Sequence, residues 1–263
     1  MLSRLTRSQA VAVCAVPVVA LLATAVLAPL PFSVAQPGMT ANVLGKNQGT
    51  PVITVSGAPT RTTGGQLRMT TIEATGPDAR VSLKDVMGNW FRTDRAVMPR
   101  DAVYPSGNSV KEIEKHNAEQ MQQSQDAATQ AALKYLDLSA DKVKVDLKLA
   151  DVGGPSAGLL FTLGIIDKLN GDGSGGDLTG GRTIAGTGTI DATGHVGAVG
   201  GVALKTQAAR RDGATVFLVP KAECRDAKAE LPEGLRLVPV TTLKSAVDSL
   251  MALEKGKGSV PSC

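Results

Sequence analysis

Histidine, cysteine and the aromatic residues are all scarce in this chain of 263 residues, which holds two His, three Cys, one Trp, two Tyr and four Phe. No Cys/His cluster has zinc spacing, so no metal or other cofactor is expected. No basic helix or aromatic–basic platform occurs and the net charge is only +4, which argues against nucleic-acid binding. No G-x-x-x-x-G-K-[ST] phosphate loop is present, so no ATP site is expected. The glycine-rich stretch from 171 to 201 does not replace it. Gly186-Thr-Gly188 lacks a third glycine three residues on, where Asp191 stands, and these glycines read as turns and close backbone approaches. Val, Leu, Ala and Gly are left to carry the packing, which suits one α/β domain of about 200 residues.

Charge is also missing from Gln9 to Ala35, a run rich in Ala, Val and Leu. That run is long enough to span a bilayer, and Arg4 and Arg7 ahead of it orient the N-terminus inward. A cleaved signal peptide competes, because Ser33-Val-Ala35 before Gln36 fits a small-x-small cleavage site. The run exceeds a usual signal core, and the reading adopted is a single-pass signal anchor in the plasma membrane with the rest of the chain extracytoplasmic. The expected organisation is a cytoplasmic N-terminus (1–8), the anchor (9–35), a polar linker (36–49), a folded domain (50–254) and a C-terminal tail (255–263). Cys14 falls in the anchor, whereas Cys224 and Cys263 share the oxidising side and can pair. A loop of that length would stabilise folding by about 4 kcal/mol in the chain-entropy account.

The central stretch is Asp151-Val-Gly-Gly-Pro-Ser-Ala-Gly158, followed by Leu-Leu-Phe-Thr-Leu-Gly-Ile-Ile. The alternating Val143–Leu149 ahead of it reads as a strand and the apolar run after it as a buried helix. Pro155 suits a first helical position. Ser156 then falls in the first turn, beside unpaired N–H groups that can hold an oxyanion, with Gly154 and Ala157 as the backbone donors. Ser156 is either a nucleophile or a cap on a core helix. Gly154–Gly158 also satisfies the G-x-S-x-G elbow, but His116 precedes the serine on a polar helix and His195 sits in the turn-like Gly194-His-Val-Gly197. A lysine can serve as base if burial lowers its pKa. In the helix bounded by Gly200-Gly201 and Gly213, Lys205 shares a face with Val202, Ala208 and Ala209, while Gln207, Arg210 and Arg211 point away. Lys205 is either buried there or snorkels from the helix edge.

Taken together, Gly154-Pro-Ser-Ala-Gly158 with its helix and Gly200-Gly201 followed by Lys205 resemble the proteolytic domain of the Lon protease family. Thr183–Asp191 is similar to the strand before its lysine helix, Gly213–Pro220 to the next strand, and Gly65–Ala74 to its first hairpin. The resemblance implies a serine endopeptidase that cuts peptide substrates with a Ser156–Lys205 dyad, Thr187 helping to hold the amine, and a homo-oligomeric ring as one possible assembly. It is nearest to the membrane-anchored, ATP-independent bacterial Lon-like proteins. Three departures stand: Gly153 occupies a position usually acidic, the loop Gly171–Asp177 lengthens the Ser–Lys interval, and no PDZ module fits between the helix ending near Leu138 and the strand at Val143.

Elsewhere, Val52–Ser56 and Leu67–Ala74 are expected to pair as strands, Val81–Phe91 to be a short helix and 92–108 a loop. Ser109–Leu136 should be helical from a Ser109/Glu112 capping box. A helix over 222–230, a strand over 235–240 and a helix capped by Thr241 complete an α/β domain with a mixed sheet. The rival functions are a non-catalytic envelope scaffold on the same fold and a Ser–His esterase of the α/β-hydrolase kind.

Overall fold

A computed structural model describes residues 6–104, 109–149, 152–256 and 258–263; Arg4, Pro105, Asp151 and Lys257 thus lie outside the described residues. The elements in chain order are α1 (Arg7–Leu27), β1 (Phe32–Asn42), β2 (Lys46–Asn47), β3 (Thr50–Pro51), β4 (Ile53–Ser56), β5 (Gln66–Ala74), α2 (Leu83–Trp90), β6 (Ala96–Pro99), α3 (Arg100–Val103), α4 (Val110–Tyr135), β7 (Lys144–Leu147), α5 (Gly158–Leu169), β8 (Thr183–Gly186), β9 (Thr189–Ile190), β10 (Val196–Gly197), α6 (Val202–Arg211), β11 (Val216–Pro220), α7 (Cys224–Lys228), β12 (Arg236–Val240) and α8 (Leu243–Lys255). The chain forms two compact units, one of Met1–Ala35 with Ala74–Pro105 and one of Gln36–Glu73 with Ser106–Cys263.

In the smaller unit, Thr6 and Gln9 form a capping box that opens α1, satisfying two of the orphan donors at its start. The stretch Arg7–Thr24 is apolar enough to cross a membrane and none of it is buried. At 1.5 Å per residue α1 is roughly 31 Å long, about the thickness of a hydrocarbon core. The charge-free run does not stay helical to Ala35. Phe32–Ala35 pairs antiparallel with Ala96–Pro99 of β6, and Ser33 and Ala35 are fully buried. The stretch 92–104, expected as loop, therefore holds β6 and α3. A Ser82/Asp85 capping box opens α2. The Leu30 N–H donates to Val81 O at 2.7 Å, which sets the end of α1 beside the start of α2.

The larger unit is built on the strand order β12-β11-β8-β5-β1. Its first four strands run parallel, as crossovers through α6 and α7 require. β11 is buried at every position, the pattern of a strand covered on both faces. Gly186 lets β8 approach β11, because a Cβ there would lie 2.9 Å from Leu218 Cβ. The segment 36–49, expected as an irregular linker, instead contains the second half of β1 and strand β2. At Gly38 a Cβ would collide with Thr71 Oγ1, so the glycine that looks like a breaker is what lets the strand fit. β4 pairs antiparallel with β7, Ile53 opposite Leu147 and Ser56 opposite Lys144, and not with β5, so the expected 52–56/67–74 pairing is replaced.

Helix α5 is the centre of the core. Every residue from Gly158 to Asp167 is buried. It packs on α4, whose buried Ala128, Ala131 and Ala132 keep that contact close. Gly164 serves the same end on another side, since a Cβ there would lie 2.6 Å from Ile53 Cδ1. Ser109 Oγ accepts from Glu112 N at the start of α4, and Thr242, one residue after the expected Thr241, caps α8. The result is a mixed α/β fold.

Candidate active site

The serine segment approaches α5 but precedes it. Ala157 is the N-cap residue, so Ser156 stands in the turn ahead of the helix and not in its first turn. Gly154 has φ 86° with no atom near its missing Cβ; a left-handed conformation, not space, calls for glycine there. Two sides clamp the segment. From α4, Asn117 O accepts from Gly154 N at 3.0 Å and Ser124 Oγ donates to Pro155 O at 3.0 Å. From the turn between β8 and β9, Gly188 N donates to Ser156 O at 3.0 Å while Leu159 N donates to Gly188 O at 3.1 Å.

This bonding revises the oxyanion donors. The Gly154 N–H is already engaged by Asn117 O, which removes it from the expected pair. Among the described residues, neither Ser156 N–H nor Ala157 N–H has a hydrogen-bond partner. Two adjacent free N–H groups at a helix start can stabilise a negative oxygen.

Lys205 reaches the same turn from α6. It is 3% exposed, with Val202, Leu204, Ala208 and Ala209 buried around it. Its Nζ donates to Thr187 Oγ1 at 3.1 Å, and Thr187 Oγ1 donates to Ser156 O at 3.3 Å. Thr187 is fully buried and its own N–H is held by Leu218 O at 3.1 Å. One hydroxyl therefore accepts from the lysine and donates to the serine backbone. No hydrogen bond joins Ser156 Oγ to Lys205 Nζ among the described residues; Thr187 carries the link. Burial pushes the Lys205 pKa down to about 8, opposed by the negative charge of Glu223. A buried ammonium loses hydration that this site does not replace in full, so the neutral amine gains.

Glu223 is the residue that sequence reasoning missed. Its Oε1 accepts from Val199 N at 2.8 Å, which ties down the loop leading to Gly201 and α6. Its Oε2 is buried without a hydrogen-bond partner. Burial raises the Glu223 pKa and Lys205 lowers it. Nothing in Pro220-Lys-Ala-Glu223 marks this acid as buried; its position follows from β11 ending beside α6. The next residue, Cys224, is bonded to Cys263 with Cα atoms 5.3 Å apart. Gly201 takes φ 69° and abuts Ile72 Cγ2, 2.8 Å from where a Cβ would sit.

The two histidines take no part in these hydrogen bonds. His195 is exposed in a turn where Asp191 Oδ1 accepts from its N–H at 3.0 Å and from Thr193. His116 lies on α4. Neither makes a hydrogen bond to Ser156 among the described residues.

A cleft of about 490 Å³ lined by Met39, Thr71, Ile72, Glu73, Asn117, Val152 and Gly153 ends three residues short of Ser156. A second hollow, of about 390 Å³, shares Asn117, Val152 and Gly153 and adds Glu114 and Ala118. The two hollows share Asn117, Val152 and Gly153 and so adjoin one another on the approach to the serine segment.

A family model, the Lon protease (S16) C-terminal proteolytic domain, matches residues 110–253. The matched stretch is more than half of the chain and contains Ser156, Thr187, Lys205 and Glu223. A comparison with curated proteins returns no match.

Proposed function

From the premise that the chain belongs to the Lon protease (S16) proteolytic-domain family, a family of serine peptidases, we propose that it is a membrane-anchored endopeptidase that works without ATP through Ser156 and Lys205. The observation that carries this reading is the buried Lys205 amine joined through Thr187 to the Ser156 backbone. In this mechanism neutral Lys205 Nζ takes the proton of Ser156 Oγ, and Oγ adds to the scissile carbonyl of a peptide lying in the cleft. The Ser156 and Ala157 N–H groups hold the oxyanion. Lys205, now protonated, gives its proton to the departing amine. Water then adds to the acyl-enzyme with Lys205 again as base, which restores the serine. Thr187 holds one N–H of the amine and so orients its lone pair. Ser156 Oγ must turn toward Nζ on substrate binding, as catalytic contacts commonly tighten only in the complex.

ATP independence is supported by the lack of a phosphate loop in these 263 residues. Anchoring is supported by α1 and by β1. Cleavage after Ala35 would cut a strand whose Ser33 and Ala35 are fully buried and paired with β6. An extracytoplasmic peptidase domain is supported by Arg4 and Arg7 ahead of the apolar run, which favour a cytoplasmic N-terminus.

The test is a peptide-library digest read by mass spectrometry, with the parent chain and Ser156→Ala. Cleavage products are expected from the parent alone. Identical product sets from both would remove Ser156 from the chemistry.

A further inference from the structure

The smaller unit carries an apolar helix face that is largely uncovered among the described residues. At 100° per residue, Leu83, Val86, Met87, Trp90 and the following Phe91 fall on one side of α2, and Lys84, Asp85, Gly88 and Asn89 on the other. Only Val86 of that apolar side is buried. Met87 is 55% exposed, Trp90 61% and Phe91 80%. A chain with a single Trp and four Phe thus spends two of its few large rings side by side in the open. Grouped exposure of this kind marks a contact surface.

The surroundings identify the contact. α2 touches α1, and the Leu30–Val81 bridge joins their ends. From Ala10 to Val26 the described side chains of α1 are exposed and mostly apolar, so α2 adjoins a helix already suited to hydrocarbon. Three side chains fall well short of the about 800 Å² per partner that a standard protein interface buries. They are enough for insertion at a bilayer boundary, where indole and phenyl rings are favoured and the polar half of the helix stays wet. Lys84 lies on the polar side of the helix, and Arg92 just beyond it is paired with Asp94.

We propose that the Met87, Trp90 and Phe91 face of α2 lies in the interfacial layer of the bilayer that α1 crosses, as a second membrane contact for the smaller unit. The inference rests on the anchor reading of α1. Because Trp90 is the sole tryptophan, its fluorescence reports on this face alone. The full chain is reconstituted into phosphatidylcholine/phosphatidylglycerol vesicles containing lipids brominated either near the headgroup end of the acyl chain or at its distal end. The expected result is strong quenching by the shallow bromines, weaker quenching by the deep ones and protection from aqueous iodide. Met87→Ser with Phe91→Ser, both surface positions, should lose at least half of the lipid quenching while circular dichroism is unchanged. Trp90 quenched by iodide and not by bromolipid, in a chain that still sediments with carbonate-washed vesicles, overturns the proposal and leaves the anchor standing. Protection from both quenchers overturns it in favour of a protein contact. A chain that fails to sediment at all refutes the anchor, and this contact with it.

Discussion

Helices α1 and α5 draw on a similar aliphatic alphabet, yet one leaves its surface bare and the other buries Gly158 to Asp167 without a break. Length separates them first. The 12 residues of α5 span roughly 18 Å, too short for a bilayer core of about 30 Å, whereas α1 reaches it. Glycine separates them next. Gly158 and Gly164 in α5 take contacts from Ile190 and Ile53 that a Cβ would obstruct, so α5 is cut to fit protein. α1 has no glycine, and its one helix-breaking residue is Pro17. The comparison teaches that apolar content alone does not decide a helix's solvent; span and shape do. It also divides the labour, with the proposed chemistry at the head of α5 and the proposed address in α1.

The largest expected effect falls at the head of α5. Ser156→Ala and Lys205→Ala should each lower peptide hydrolysis by about 10⁴-fold or more, and the double variant should be no worse than either, as residues acting as one unit are not additive. Lys205→Arg should be equally inert because guanidinium keeps its proton, while His195→Ala should retain full rate. Activity assays on the set check this; a fast Lys205→Ala alongside a dead His195→Ala would move the base to the histidine.

Next is the packing of α5 itself. Phe161→Ala, at a fully buried position, should cost about 3–5 kcal/mol in denaturant unfolding. Leu21→Ala in α1, where the side chain is 71% exposed, belongs to the same comparison and should stay within about 0.5 kcal/mol. Equal losses at the two sites would mean that α1 is packed on protein after all.

Thr187→Ala should leave a working but slower enzyme, with kcat down by about 10–100-fold and KM little changed, because the hydroxyl positions the amine and does not touch the peptide. Steady-state kinetics separates the two constants.

The smallest effect is in pH. Only the neutral amine can act as base, so the rate should climb with pH through the Lys205 value of about 8. Glu223→Gln keeps an acceptor for Val199 N and removes the charge that favours the ammonium. Its activity profile should therefore move to lower pH, by about one unit or less. The stability sign is separate. A lysine whose folded pKa lies below its ordinary value binds more protons unfolded than folded between the two, so stability rises with pH from about 8 toward the free-lysine range. Lys205→Met should raise the melting temperature more at pH 7 than at pH 10, and an equal rise at both would mean that the amine is not desolvated.

The burial of Lys205 and helix α5 were legible in the sequence because each is announced locally, by one basic residue on an apolar face and by an unbroken apolar run. β1 was not. Gln36-Pro-Gly38 reads as a breaker, and only contact with Thr71 makes its glycine an asset. The partnership of β4 with β7 crosses most of a hundred residues and leaves no local mark. The loss of Gly154 as a donor depends on Asn117 O coming within 3.0 Å, a fact of packing that no motif contains. Glu223 is hidden for the same reason, since burial there is set by where two distant elements meet.

The bond between Cys224 and Cys263 gives the enzyme a calendar. It closes a separation of 39 residues and forms only where thiols are oxidised, so under the proposed topology it is made after the chain has left the cytoplasm. A newly made copy still inside lacks the roughly 4 kcal/mol that closure contributes in the chain-entropy account. It also lacks a covalent hold one residue from Glu223, which steadies the loop ahead of α6. Under that topology maturation would be ordered in time, with export first, oxidation second and the bracing of Lys205 last. A peptidase built this way is at its weakest where its own cell's proteins are the nearest substrates.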